Sequence, residues 1–221
     1  MIQLFTTFYL EKNPNRRDEY EECFRRNRDS GLFSAIYILT EEPEASPQVE
    51  STTDTKIVIQ RQPHRPTFSE IFQFINSVTE PDNINVLSNT DIIFDNSLRL
   101  VEQINMKDVC LALTRWDIQV DNTIRFLESI DSQDCWIFKG KIQETEFVKY
   151  PSFWEDANFH NGLAGIDNRI AFIINQLGYH VINPSYTIKI QHLHRVNVRN
   201  YNPENRVLGQ YLLLPPTILE F

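Results

Sequence analysis

The chain has 221 residues, 41% hydrophobic and 12% aromatic, enough apolar material for one large domain or two small ones around a sizeable core. Thirty acidic residues against 21 basic ones give a net charge of −9, which argues against general nucleic-acid binding and leaves any anionic ligand to be held by local features. No run reaches the ~20 apolar residues that span a bilayer, so no membrane span is expected, and with the acidic balance no nucleic-acid partner.

Residues 3–9, rich in Phe, Thr and Tyr, read as a first strand rather than a signal peptide. Asn13-Pro14-Asn15 breaks it, and residues 16–28 follow as a helix with Tyr20, Cys23, Phe24 and Asn27 on one face, ended by Gly31. A second strand is predicted over 33–39, then an acidic, exposed loop over 41–54, then a short third strand over 56–59. Strand, helix, strand, loop, strand is an α/β opening. Thr67 is placed to cap a helix bearing Phe68, Ile71, Phe72, Ile75 and Val78 at helical spacing, with Glu70 as capping-box partner.

After Pro81-Asp82, Val86 and Leu87 end a buried strand that breaks at Ser88-Asn89-Thr90-Asp91 before the apolar run Ile92-Ile93-Phe94. A helix is expected over 98–104 and a strand over 109–114, the latter running into Arg115-Trp116-Asp117. Ser132-Gln133-Asp134 precedes the apolar run 135–138. In the last third, Asn161 to Asn168 opens a helix with Ile170, Ile173, Ile174 and Leu177 inward, ended by Gly178. Val181-Ile182 forms a strand, Asn183-Pro184-Ser185 turns it, and residues 186–190 run on into Gln191-His192-Leu193-His194. The tail from 212 to 221, with Pro215-Pro216, reads as an extended cover.

Cys23, Cys110 and Cys135 are odd in number, without metal-type spacing and set in apolar segments. They read as buried free thiols and point to a reducing, cytoplasmic setting.

Four polar signals fall at element ends: Asn89 with Asp91, Asp134, Asp167, and His192 with His194. A carboxylate at the carboxyl end of a buried strand sits where open α/β sheets bind ligands, and a turn is the structural alternative. A hard ion such as Mg²⁺ or Mn²⁺ takes oxygen ligands and needs only one or two carboxylates when a diphosphate supplies the rest, which suits Asp91. At that polar strand end, outside the core, alanine is expected to cost little stability. On a strand, His192 and His194 share a face about 6.6 Å apart, so one ion does not readily meet both. Asp167 can be a helix cap or a base; the helix dipole lowers its pKa, and burial must offset that for it to work as a base. Lys189, His192, His194, Arg195, Arg199 and Arg206 make the late segment locally basic, either as a solvated face or as a clamp for phosphate oxygens.

With these pieces in order, the chain resembles the GT-A class of nucleotide-sugar glycosyltransferases over most of its length, from about Gln3 to Arg199. Ser88-Asn89-Thr90-Asp91-Ile92 is similar to the Asp-x-Asp metal signature. Gly165-Ile166-Asp167-Asn168 resembles the segment that supplies the base in inverting members. The run from Gly165 through Asn183-Pro184-Ser185 to His194 looks like a group of small bacterial and large-virus transferases that build surface or capsid glycans. The resemblance implies one domain over 1–221, a Rossmann-like mixed sheet flanked by helices. Its nucleotide-binding part would fall at about 1–95 and its acceptor and catalytic part at about 96–221.

It further implies Mn²⁺ or Mg²⁺ on Asp91 with His192 or His194, and Asp167 as base. Thr6, Phe8, Tyr9, Arg61 and Arg65 would contact the nucleoside, and Asn89, Arg115, Asp134 and His194 the sugar or diphosphate. The donor would be a UDP- or GDP-linked hexose or deoxyhexose, and the acceptor a glycan or glycoprotein. Two departures stand out: Asn89 replaces the first Asp of the signature, and Ile166 stands where many relatives carry Glu. The rivals are a sugar nucleotidyltransferase and a non-catalytic nucleotide-sugar or glycan-binding module. Thr6-Thr7-Phe8-Tyr9 is not the Gly-rich basic loop of the former; the latter would turn over no donor.

Overall fold

The computed structural model describes residues 1–42, 55–146, 148–193, 195 and 204–219. The predicted loop over 41–54 lies almost wholly outside these residues, as does His194. The chain builds β1 (Ile2–Thr7), α1 (Pro14–Asp29), β2 (Ala35–Thr40), β3 (Lys56–Arg61), α2 (Phe68–Val78), β4 (Ile84–Ser88) and β5 (Ile92–Phe94). A 3₁₀ helix (Asn96–Gln103) follows, then β6 (Val109–Leu113), β7 (Trp116–Ile118), β8 (Ile124–Phe126) and β9 (Cys135–Lys139). The last elements are α3 (Phe153–Asp156), α4 (Ile166–Gln176), β10 (His180–Ile182) and β11 (Ile190–Leu193).

Seven strands form a mixed sheet in the order β10-β6-β9-β4-β1-β2-β3, in which only β9 runs antiparallel to its neighbours. Strand alternation sends Phe5, Tyr37, Leu39 and Leu87 to one face, where α2 and α4 cover them with Phe68, Ile71, Phe72, Ile170, Ile173 and Ile174. Leu4, Ile36, Ile38 and Val86 point to the other face, against Tyr20 and Phe24 of α1 and Leu98 and Val101 of the 3₁₀ helix. Both faces of the parallel part are thus buried, as a parallel sheet requires. The fold is α/β with a mixed multi-stranded sheet and several helices. The predicted capping box is present: Glu70 N donates to Thr67 Oγ1, and Thr67 N donates to Glu70 Oε2 at 2.8 Å. All three cysteines are free and buried. Among the described residues, no helix is long and apolar enough to cross a membrane.

A second, four-stranded sheet, ordered β5-β11-β7-β8, goes beyond the sequence-based expectation, which assigns no element to 118–131 and predicts a strand through 186–190. Residues 185–188 instead form turns, and the strand starts at Ile190. The register of this sheet sets His192 opposite Ile92 on one side and opposite Asp117 on the other. β5 is one of its two edge strands, and α1 covers that edge with one side chain. Asn27 Nδ2 donates to Ile92 O at 2.7 Å, and Phe94 N donates to Asn27 Oδ1 at 3.0 Å. The buried Asn27 thus replaces a neighbouring strand for two otherwise unpaired backbone groups, immediately after Asp91.

Asn27→Ala strands both groups and is expected to cost about 2 kcal/mol. Urea unfolding measures it; a loss under about 0.5 kcal/mol, the surface-substitution range, would show that β5 does not depend on this bond.

Candidate functional site

Helix α1 leads from β1 to β2 on one face of the large sheet and α2 leads from β3 back to β4 on the other, so the strand order reverses between β1 and β4, a topological switch point. Ligands bind in such a crevice, beyond the carboxyl ends of the strands. A cleft of about 580 Å³ opens there, within the usual range for small-molecule sites. Thr7 lines it from the end of β1 and Tyr9 from the residues just after, Arg16 and Tyr20 from α1, Asn89 and Asp91 from the turn after β4, and Asp167 from α4.

Its floor is one chain of charge contacts. Asp91 Oδ2 accepts from Arg16 Nη2 and lies 3.0 Å from His192 Nε2. His192 Nδ1 is 2.9 Å from Asp117 Oδ1, which also accepts from Arg115 Nε at 2.9 Å. Arg115 Nη1 then donates to both carboxylate oxygens of Asp134 at 3.1 and 3.2 Å, and Asn89 Nδ2 donates to Asp134 Oδ1 at 3.0 Å. Backbone bonds fix the ends: Asn89 N donates to Asp134 O at 3.0 Å, and Asp134 N to Leu113 O at 2.9 Å. Arg16 is held in turn by Glu19 Oε2 at 2.6 Å and lies over the Tyr20 ring.

Asp91, Asp134 and His192 are 9%, 4% and 4% exposed. Burial disfavours ionised Asp91, but His192 and Arg16 more than offset it and hold the carboxyl well below the usual range. Burial likewise lowers the affinity of His192 for its proton, yet Asp91 and Asp117 outweigh that and push it up to about 9. At neutral pH His192 is therefore an imidazolium between two carboxylates.

Asp167 is in the opposite condition. The N-cap of α4 is Gly165 in the left-handed conformation, and Asp167 makes no side-chain capping bond, so the capping reading does not hold. Its carboxylate has no hydrogen-bond partner among the described residues and faces the cleft. Burial, reinforced by the Asp134 charge and opposed by Arg115, pushes its pKa well above the ordinary carboxylate range. The loop before it runs between two guanidinium groups. A Cβ on Gly162 would lie 2.5 Å from Arg65 Nη2, and one on Gly165 would lie 2.8 Å from Arg206 Nε. Arg65 also stacks over Tyr9 with its Cζ 5.1 Å from the ring centroid, and Arg206 over Tyr211 at 4.8 Å. Neither arginine has a carboxylate partner among the described residues, so both are available to an anion.

The cleft therefore collects Tyr9, Arg65, Asn89, Asp91, Arg115, Asp134, Asp167 and His192 from the expected set. Three expectations are corrected. Phe8 is buried in the core against Tyr20 and Phe24, because strand alternation gives the cleft to Thr7 and Tyr9. Thr6 is also turned away, and its hydroxyl is buried without a partner among the described residues. Arg61 ends β3 at the exposed edge of the large sheet, outside the cleft. Arg16, Asp117, Asn161 and Gly162 were not anticipated as site residues. The Asn13-Pro14 helix start was a usable signal for Arg16, since it puts that residue in the first turn after β1.

For Mn²⁺ or Mg²⁺, the donor set offers the buried Asp91 Oδ1, which has no hydrogen-bond partner among the described residues. His192 has both nitrogens engaged by carboxylates and would have to give up its proton to bind a metal. No group of three or more His, Cys, Asp and Glu residues placed to hold a metal ion occurs among the described residues. Comparison of the sequence with protein-family models and with curated proteins finds no match.

Asp91 is not the stability-neutral position its polar setting suggested. Alanine there leaves Arg16 and His192 buried without their shared anion, at an expected cost of about 3–5 kcal/mol in chemical denaturation.

His192 also sets a pH window. Its folded pKa lies above the unfolded value of about 6.5, so its contribution is complete below that pH and is lost as pH rises through about 9. Unfolding midpoints should fall across this interval in the wild type and fall less in His192→Asn. Equal alkaline slopes would remove His192 from the linkage.

Proposed function

We propose that the chain is a GT-A-type glycosyltransferase that moves a sugar from a nucleoside diphosphate to an acceptor hydroxyl with inversion at the anomeric carbon. The observation that carries this reading is Asp167: a carboxylate without a partner among the described residues, with a raised pKa, in the cleft that also holds two uncompensated arginines. A base needs proton affinity and access, and an anionic leaving group needs fixed positive charge.

In this reading the acceptor hydroxyl gives its proton to Asp167 as its oxygen bonds to the anomeric carbon. The bond from that carbon to the diphosphate oxygen breaks, and the diphosphate leaves with the electron pair. Arg65 and Arg206 meet the charge that develops on it. Tyr9, with Arg65 over its ring, forms the nucleoside end of the cleft, and Asp134 with Arg115 faces the sugar. Mn²⁺ or Mg²⁺ held through Asp91 Oδ1 would add Lewis-acid stabilisation of the diphosphate. His192, and His194 beyond the described residues, would join that ion only in neutral form. UDP- or GDP-linked hexoses or deoxyhexoses are the donors, and a glycan or glycoprotein is the acceptor. A cytoplasmic setting accords with three free thiols.

A panel of nucleotide sugars, screened for thermal stabilisation with and without Mn²⁺, identifies the donor. With that donor, Asp167→Asn should keep donor affinity while turnover falls about 10²–10⁴-fold, the usual worth of a general base. Near-normal turnover in the variant, or retained configuration in the product by NMR, would overturn the assignment. Binding without any donor turnover would indicate a binding module instead.

A further inference from the structure

Arg206 lines the cleft from a segment that belongs to neither sheet. Residues 204–214 run as an extended strap beside the N-terminal part of α4. Val207 N donates to Ala164 O and Leu212 N to Asn168 O, both at 3.0 Å. At the end of the strap and past it, the chain is pinned elsewhere, with Leu214 N on Ile130 O at 2.8 Å and Thr217 N on Asn183 O at 2.7 Å. Between the Val207 and Leu212 contacts, one buried side chain grips the backbone.

Arg169 of α4 is 6% exposed. Its Nη1 donates to Gln210 O at 3.1 Å and its Nη2 to Asp156 Oδ1 at 2.6 Å. Asp156 is itself immobilised: its Oδ2 accepts from Tyr150 Oη at 2.8 Å and from Ser152 Oγ at 2.9 Å. The strap comes in so closely over the guanidinium that a Cβ on Gly209, whose φ is +122°, would lie 2.6 Å from Arg169 Cζ. A planar fork with two separated donors meets this geometry, whereas a lysine ammonium reaches one partner at a time.

We infer that Arg169 is a positioning residue that latches the strap to α3 and α4 and thereby fixes Arg206 at the lip of the cleft. It touches no cleft ligand itself and acts through Arg206. The anion-binding consequence rests on the proposed reading of the cleft as a diphosphate site; the latch itself does not.

Two measurements separate these levels. Hydrogen exchange reads the latch without any ligand. In Arg169→Lys and in Gly209→Ala, which leaves the arginine in place, the Val207 and Leu212 amides should lose protection while those of β1 and β4 keep it. Unchanged protection of both strap amides in Gly209→Ala, or uniform loss throughout the chain in both variants, would overturn the inference. Calorimetry with inorganic pyrophosphate reads the consequence. Arg206→Ala and Arg169→Lys should each weaken binding on the order of tenfold, and the double variant should be little weaker than either single one. Additive losses would overturn action through Arg206. Failure of the wild type to bind pyrophosphate would count against the diphosphate reading alone, with the exchange data still deciding the latch.

Discussion

The Arg16–Asp91–His192–Asp117–Arg115–Asp134 chain is the constraint on which the rest of the structure depends. Burying ionised groups costs several kcal/mol each unless partners are fixed in place, and here every link but the local Arg115–Asp117 contact joins segments distant in the chain. Helix α1, the ends of β4 and β6, and strands β7 and β11 must all hold their mutual positions for the charges to be compensated.

The four-stranded sheet makes this arrangement possible. Residues 91, 117 and 192 are far apart in the chain, and only the antiparallel β5–β11 and parallel β7–β11 registers set them side by side. Asn27 covers the β5 edge of that sheet, so a helix residue outside the cleft supports the backbone next to Asp91. A one-residue slip of β11 would turn His192 to the other face and leave Leu193 among the carboxylates.

Two aspartates in one cleft are driven apart by their surroundings. Both are penalised by burial, but Asp91 receives two cations at contact distance, whereas Asp167 faces Asp134 and Asp131 with Arg115 as the opposing charge. Asp91 is thereby fixed as an anion and Asp167 retains proton affinity. This separation of roles within one site is the pattern expected where one carboxyl holds charge and another exchanges a proton. It arises without any contribution from helix capping, since Gly165 and not Asp167 occupies the cap of α4.

Local rules in the sequence were sufficient for the α/β class, the Thr67–Glu70 capping box, the buried thiols and the placement of Asn89, Asp91, Asp134 and Asp167 at element ends. Each depends on residues within a few positions of one another, as periodicity, capping and turn chemistry do. The facing of Thr7 rather than Thr6 or Phe8 toward the cleft depended on strand phase, which a run of apolar and β-branched residues buried on both faces does not declare. The small sheet was invisible because its strands are three or four residues long and gain their stability from pairing across the chain. The charge partners of Asp91 could not be read either: Arg16 and His192 are 75 and 101 positions away, and only the tertiary fold pays the desolvation that turns three polar residues into one fixed cluster.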